Sequence, residues 1–357
     1  MKTALLGTSN LVMKNGFSSG FQYALPKSQI DNFSVGIGGV FLNEGIEKVE
    51  RGDYDVVVID CAVNDEILAQ RKPELQRIFL RNFENLIFRI CRSGSIPLVA
   101  ILPRLEWLEN NQAPPVANSY MSFCQDNSIP FLNGYSLIRR VLDIETSLTL
   151  ADLFNNAAHL KRPLAGIIGS MMGIEARKLK QFTTQKREIR SSAEFRYVPF
   201  THDAEQTGVV VHKNSLRCDK LRKLSEGESL SVPLAPGAKV AAVLYNSNVS
   251  DGTLIAEAAG TRCTLIVSSK NDSPHSKYQI GGVVTNWSYK NDKDVTVTVS
   301  LSETEEGKSY FELLGLVVLR DKNRRTQIEL PQLKDYEVSA RMAALPPAIA
   351  VAALTKT

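Results

Sequence analysis

Ser9 follows the apolar run Ala4-Leu5-Leu6 and a glycine, Gly7. Met1 to Leu6 reads as a buried strand, and Gly7 lets the backbone turn sharply at its end. Ligands of open parallel sheets bind beyond the carboxyl ends of the strands. A serine there is a candidate nucleophile, and it needs a base for its proton and donors aimed at the developing oxyanion. The chain has four histidines, His159, His202, His212 and His275. Only His159 lies in the half where strands alternate with helices, just before a closing helical stretch, so it is the candidate base. Two donors present themselves. Gly39 ends the cluster Gly36-Ile37-Gly38-Gly39, where a bare backbone N–H can approach a ligand closely. Asn64, in Ala62-Val63-Asn64-Asp65, follows a strand and offers its side-chain amide. Each feature has a plainer reading when taken singly. A serine beside a glycine is ordinary turn chemistry, and a lone histidine is more often structural than catalytic. Together, in the order Ser, Gly, Asn, His, they would lie at one edge of one sheet.

The elements that must position them alternate through the first half. Asn32 to Gly36 reads as a second strand. Tyr54 to Asp60 is a β-branched run of the kind a sheet covered on both faces needs. Pro73 opens a helix with apolar residues at Leu75, Ile78, Phe79, Phe83, Leu86, Ile87 and Ile90, and Gly94 closes it. Ile96 to Leu102 and Pro130 to Leu132 are further strands, Met121 lies in a helix, and Leu164 to Leu179 is the closing helix. This alternation predicts an α/β doubly wound, three-layer domain over residues 1–180. Residues 181–200 are polar and basic without sustained periodicity, and read as a linker. Residues 201–333 hold short strands separated by turn signals such as Pro236-Gly237, Asp251-Gly252, Gly260 and Asn291-Asp292, which predicts an antiparallel β-sandwich of jelly-roll type. Trp287, Tyr245, Tyr278 and Tyr289 would stack on sugar rings if exposed, but half-buried sandwich positions suit them better. The tail, 334–357, is rich in Ala and Pro, and is expected either to dock or to be disordered.

In these blocks the first half resembles the SGNH (GDSL-type) hydrolases. Gly7-Thr8-Ser9-Asn10 stands where that family has Gly-Asp-Ser-Leu, Gly36-Ile37-Gly38-Gly39 where it has Gly-x-Ser-Gly, Ala62-Val63-Asn64-Asp65 where it has Gly-x-Asn-Asp, and Asn156-Ala157-Ala158-His159 where it has Asp-x-x-His. The resemblance implies a flavodoxin-like fold, Ser9 as nucleophile, His159 as base, and the Ser9 N–H, Gly39 N–H and Asn64 side chain as oxyanion donors. It departs at two places. Thr8 replaces an aspartate that is not the nucleophile. Asn156 replaces the acidic member of the triad; it can orient the imidazole but carries no charge to stabilise an imidazolium, and it could instead hold the wrong tautomer. Asp152 would substitute only if its loop folds back.

Around this core, Arg104 and Trp107 follow the fourth strand and Lys161 follows His159, so all three are candidate substrate-binding residues. A basic rim would suit an acidic substrate such as a uronic acid or a phosphate-bearing carrier, while simple surface solvation explains it equally well. The resemblance and the added sandwich imply an esterase or deacetylase acting on an acylated saccharide. Acyl transfer to a sugar hydroxyl, with a donor such as acetyl-CoA, and a non-catalytic saccharide-binding protein are the alternatives. The 357 residues carry a net charge of only +4, which gives no ground for a nucleic-acid partner. No signal-peptide pattern or apolar run of membrane-spanning length is present, so a cytoplasmic protein is expected. Five scattered cysteines without paired spacing point to reduced thiols and away from a metal site. No cofactor is expected.

Overall fold

The computed structural model describes residues 1–110, 114–201, 208–213, 217–250, 252–267, 278–289, 293–301, 310–333, 335–341 and 344–355. His202, His275, Asp251 and Asn291-Asp292 lie outside them. The chain divides into two compact units, Met1–Ser191 with Arg324–Thr357, and Ser192–Asn323.

In the first unit the strands are β1 (Lys2–Gly7), β2 (Gln29–Asn32), β3 (Val56–Asp60), β4 (Ile96–Ile101) and β5 (Phe131–Asn133). They pair in parallel in the order β2-β1-β3-β4-β5. This is the flavodoxin-like order, whose reversal lies between β1 and β3 and leaves a crevice at their carboxyl ends. The central strands are near-continuous in Val, Ile and Leu because helices cover both faces; every residue of β3 is buried. The helices are α1 (Ser9–Val12), α2 (Phe17–Ala24), α3 (Asn43–Glu50), α4 (Ala62–Arg71), α5 (Gln76–Arg92), α6 (Leu105–Glu109), α7 (Pro115–Asp126), α8 (Gly134–Ile144), α9 (Leu150–Leu153) and α10 (Arg162–Leu179). Between α9 and α10 a two-stranded hairpin, β6 (Phe154–Asn156) and β7 (His159–Leu160), turns the chain through residues 157–158.

Two close backbone approaches lock α2 against α10. A Cβ on Gly20 would stand 1.8 Å from the Gly166 carbonyl oxygen, and one on Gly169 2.0 Å from that of Phe17. The Ser170 hydroxyl also donates to the Gly20 carbonyl at 3.0 Å. Because α2 begins soon after Ser9 and α10 soon after His159, this glycine seam fixes the spacing between the two ends of the chain that carry them.

The C-terminal tail belongs to this unit. Phe131 N–H donates to the Tyr336 carbonyl at 2.8 Å, and the Arg140 guanidinium donates to the Ser339 carbonyl at 3.2 Å. Two helices follow, α11 (Val338–Arg341) and α12 (Leu345–Leu354). Of the two expectations for the tail, docking is the one observed for the described residues.

Residues 181–200, expected to be an irregular linker, instead carry strand β8 (Thr184–Pro199), and the unit boundary falls within it. Its buried positions include Ile189, Ser191, Ala193 and Phe195, every second residue. Two of these four are small or polar, so the period of two left no hydrophobic trace. The second unit continues with β9 (Val209–Lys213), β10 (Cys218–Ser225), β11 (Ser229–Leu234), β12 (Ala238–Asn246), β13 (Gly252–Ala258), β14 (Thr261–Val267), β15 (Ile280–Val284), β16 (Val295–Leu301) and the first part of β17 (Tyr310–Pro331). The antiparallel pairs nest as β10 with β17, β11 with β16, β12 with β15 and β13 with β14. Two sheets result: a six-stranded one in the order β15-β12-β17-β10-β9, with β8 also paired to β17, and a four-stranded one in the order β11-β16-β13-β14. That nesting is the jelly-roll arrangement. Inner residues of both sheets, such as Leu224, Val243, Phe311, Leu254 and Val297, form one core. Tyr245, Tyr278 and Tyr289 are buried and Trp287 packs against the core, as the sandwich reading expected.

Candidate active site

Ser9 is the first residue of α1, at the carboxyl end of β1. The preceding turn is held firmly. Thr8 N–H donates to the Asp60 carbonyl at 2.9 Å and the Thr8 hydroxyl to the Asp60 carboxyl at 3.2 Å. A Cβ on Gly7 would stand 2.9 Å from the Asp60 carbonyl oxygen, so a side chain there would force the backbone of β3 and the turn apart. Thr8 thus takes a carboxyl from the end of β3 into the nucleophile's turn. Burial raises the Asp60 carboxyl to about 7 despite its bond from Thr8.

The β6–β7 hairpin delivers the base. Ser9 Oγ lies 2.7 Å from His159 Nε2, and His159 Nδ1 lies 3.0 Å from Asn156 Oδ1. The protonation pattern follows from a third bond: Ala158 N–H donates to the same Asn156 Oδ1 at 3.0 Å. A backbone N–H can only donate, so the atom facing it is the amide oxygen. That oxygen then requires Nδ1 to carry the imidazole hydrogen, which leaves the Nε2 lone pair for the serine hydroxyl. Asn156 therefore holds the tautomer that a serine nucleophile needs, and the wrong-tautomer alternative does not arise in this geometry. Burial also lowers the His159 pKa below its ordinary 6.5, which favours the neutral base. Asp152 does not fold back to the imidazole. Its carboxylate accepts from Thr149 N–H at 2.9 Å and the Thr149 hydroxyl at 2.7 Å in the capping box of α9.

The donors are arranged unevenly. Asn64 lies in the first turn of α4, beyond β3. Its amide makes a 3.4 Å contact with the Gly36 carbonyl, at the weak end of hydrogen bonding, so little holds it from a better acceptor. Gly39 N–H does not stand open to a ligand; it donates to Asp65 Oδ1 at 2.7 Å. Asp65 is fully buried, accepts from the Tyr120 hydroxyl at 2.7 Å, and is raised by burial to about 7. A Cβ on Gly39 would stand 2.6 Å from Asp65 Oδ2, so the carboxyl fills the space beside this glycine. Sequence reasoning missed Asp60 and Asp65 as the supports of the two loops. The available signal was a carboxylate ending or following an otherwise apolar strand, where burial would demand a partner.

Arg104 is not an open cation on a rim. It is 6% exposed and donates to Gln70 Oε1 at 2.6 Å and Glu106 Oε2 at 3.0 Å. Its loop is tied to the histidine hairpin through Leu105 N–H, which donates to the Ala157 carbonyl at 3.0 Å. Trp107 is half-buried, with an indole N–H that has no protein partner. Lys161 is exposed at the start of α10. Among the described residues no helix is long and apolar enough to cross a membrane.

No protein-family model matches this sequence, and no curated protein matches it. Solved structures do. A two-domain esterase active on acetylated mannans superposes with a TM-score of 0.60 at 12% identity, covering 91% of this chain and 92% of that one. Its mannopentaose co-crystal gives 0.60 at 13% identity over 94% and 92%. An acetylxylan esterase from Geobacillus stearothermophilus is similar over 49% of this chain and 93% of its own, with a TM-score of 0.40 at 12% identity. The chain accordingly shares the fold of the two-domain esterase over 91% of its length: a parallel α/β unit followed by an antiparallel sandwich.

Proposed function

We propose that this chain is a serine-dependent acyl esterase that removes acyl groups from a carbohydrate. The observation that carries the reading is the relay Ser9 Oγ, His159 Nε2, His159 Nδ1, Asn156 Oδ1, with links of 2.7 and 3.0 Å and the tautomer set by Ala158 N–H. Ser9 Oγ attacks the ester carbonyl as His159 Nε2 takes its proton. The Ser9 N–H and the Asn64 amide receive the developing oxyanion, and Gly39 N–H joins them if it leaves Asp65. His159 returns the proton to the departing sugar oxygen, leaving an acyl-serine. A water then gives its proton to His159 and its oxygen to the acyl carbon, and the acid departs as Ser9 is reprotonated. Arg104 orders the loop beside the hairpin, and Trp107 and Lys161 face substrate. The likeness over 91% of the chain to an esterase active on acetylated mannans supports an acetylated saccharide as substrate.

Acetate release from O-acetylated mannooligosaccharides tests this. The wild type should release acetate, and Ser9→Ala and His159→Ala should each lose at least about 10³-fold in kcat. An undiminished Ser9→Ala variant would refute it. A second reading, saccharide binding without turnover, rests on the uncharged Asn156 and on the engaged Gly39 N–H. Saccharide binding by a wild type that releases no acetate would favour it.

A further inference from the structure

A cavity of about 510 Å³ opens beside the histidine hairpin, within the α/β unit. Its wall includes Asp152 and Asn155 on the approach to the hairpin turn, Lys161 and Arg162 on the departure from it, and Ala352 and Ala353 of the C-terminal helix α12. Lys161 lies two residues beyond His159, so their Cα atoms are at most roughly 7 Å apart. The cavity is therefore a neighbour of the candidate catalytic centre, and no residue of the relay lines it. Its volume falls in the range of ligand sites, about 300–1,000 Å³.

The charges within it do not cancel locally. Among the described residues neither Lys161 nor Arg162 makes an ion pair. Among the described wall residues the one carboxylate, Asp152, accepts from both donors of Thr149 at Oδ2 and offsets one of the two cations, which leaves an excess of one positive charge. The two cations are exposed and reach the cavity from adjacent positions at the start of α10. Among the described residues of α12, only Ala352 and Ala353 line the cavity, and neither carries an acid. A wall of two cations, one carboxylate, one amide and the apolar side chains of Leu164, Ala352 and Ala353 keeps a net positive charge and suits a polar ring bearing a negative group.

We propose that this cavity binds an anionic glycosyl residue of the substrate, with Lys161 and Arg162 taking its carboxylate or phosphate. That the ligand is part of the substrate rests on the esterase reading, but the binding site stands on the cavity alone. It also gives the docked tail a task, because Ala352 and Ala353 of α12 form part of the cavity wall.

The test is calorimetric titration of the full-length Ser9→Ala protein with three probes: an oligogalacturonate, mannopentaose and glucose 1-phosphate. The same titrations follow on a variant that also carries Lys161→Gln and Arg162→Gln. Oligogalacturonate or the sugar phosphate should bind at least about tenfold more tightly than mannopentaose, and the double substitution should erase that preference. Whichever of the two binds better identifies the anionic group. Equal affinity for charged and neutral probes overturns the proposal, as does a preference that survives the double substitution. Should Lys161→Gln with Arg162→Gln fail to fold, the parent is titrated as salt rises from 20 to 300 mM. Loss of the preference then supports the proposal and its persistence overturns it, since screening removes exposed charge attraction. Because binding is read without turnover, failure here is distinct from failure of the esterase reading, which acetate release decides.

Discussion

Asn156→Asp restores a charge where the imidazole has only an amide to lean on, and its effect can be sized from the structure. The bond to be changed is His159 Nδ1–H to Asn156 Oδ1, at 3.0 Å. Aspartate keeps the oxygen that receives Ala158 N–H, so the hairpin and the tautomer survive. What changes is the charge opposite an imidazolium that forms only as Ser9 attacks. A hydrogen bond to a charged partner contributes about 1.5–3 kcal/mol against about 0.5–1.5 for a neutral one. Residue 156 is exposed, so the gain belongs at the low end, about 1 kcal/mol, or about fivefold in kcat/KM. The same interaction favours protonated His159 in the free enzyme. In the wild type, burial holds the histidine below 6.5, and kcat/KM on a simple acyl ester should rise with pH through that lowered value and then level. In Asn156→Asp the acidic limb should move upward, by somewhat under one pH unit for 1 kcal/mol. The assay is a pH profile of kcat/KM for p-nitrophenyl acetate with wild type, Asn156→Asp and Asp152→Asn. Asp152→Asn should leave the limb in place and cost only the cap of α9, about 1 kcal/mol of stability. An acidic limb unmoved by Asn156→Asp, or abolished activity in Asp152→Asn, would refute the assignment of Asn156 as orienter.

Further expectations follow from other contacts. Asn64→Ala should lower kcat by about 10²–10³-fold with an unchanged circular dichroism spectrum, as loss of an oxyanion donor does; unchanged kcat removes Asn64 from the mechanism. Gly20→Ala should destabilise the chain by more than about 2 kcal/mol in urea unfolding, because its Cβ would overlap the Gly166 carbonyl; a neutral effect would show that the α2–α10 seam can open. Asp65 is raised to about 7 in the folded chain from an ordinary 3.8, so the unfolded chain releases this proton first as pH rises. Its contribution to stability is complete below about 4 and is lost between about 4 and 7, with a slope of up to about 1.4 kcal/mol per pH unit. Asp65→Asn should flatten that slope in urea midpoints measured at pH 5 and 7, and an unaltered slope would contradict the burial argument.

The α/β half was legible because its central strands are buried on both faces and so write themselves as unbroken apolar runs, as in Val56–Ile59; the edge strand β2 (Gln29–Asn32) is polar and without a buried residue, and the strand expected at Asn32 to Gly36 begins only at its last residue. The site residues were legible as an order along the chain, Ser9, Gly39, Asn64, His159, at the ends of those strands. Their hydrogen-bond partners were not. Nothing in Gly36 to Gly39 says that the last N–H turns to Asp65, since that depends on a carboxyl 26 residues away. Arg104 looked like rim charge, but Gln70 and Glu106 hold it inside, two partners that local sequence does not connect to it. The β6–β7 hairpin was unread because three-residue and two-residue strands have no measurable period. Strand β8 was concealed by Ser191 and Ala193 at buried positions, and of β17 only Leu313 to Leu319 reads as a strand, because the stretch that runs on through the unit boundary is polar and largely exposed.

The central claim is that His159 activates Ser9, and covalent labelling by a fluorophosphonate tests it most directly, because only an activated serine reacts. The account predicts one adduct on the intact wild-type protein, mapped by peptide mass spectrometry to Ser9. Labelling should vanish in Ser9→Ala and slow by orders of magnitude in His159→Ala. A folded wild type that takes no label, or an adduct on a serine other than Ser9, would contradict it.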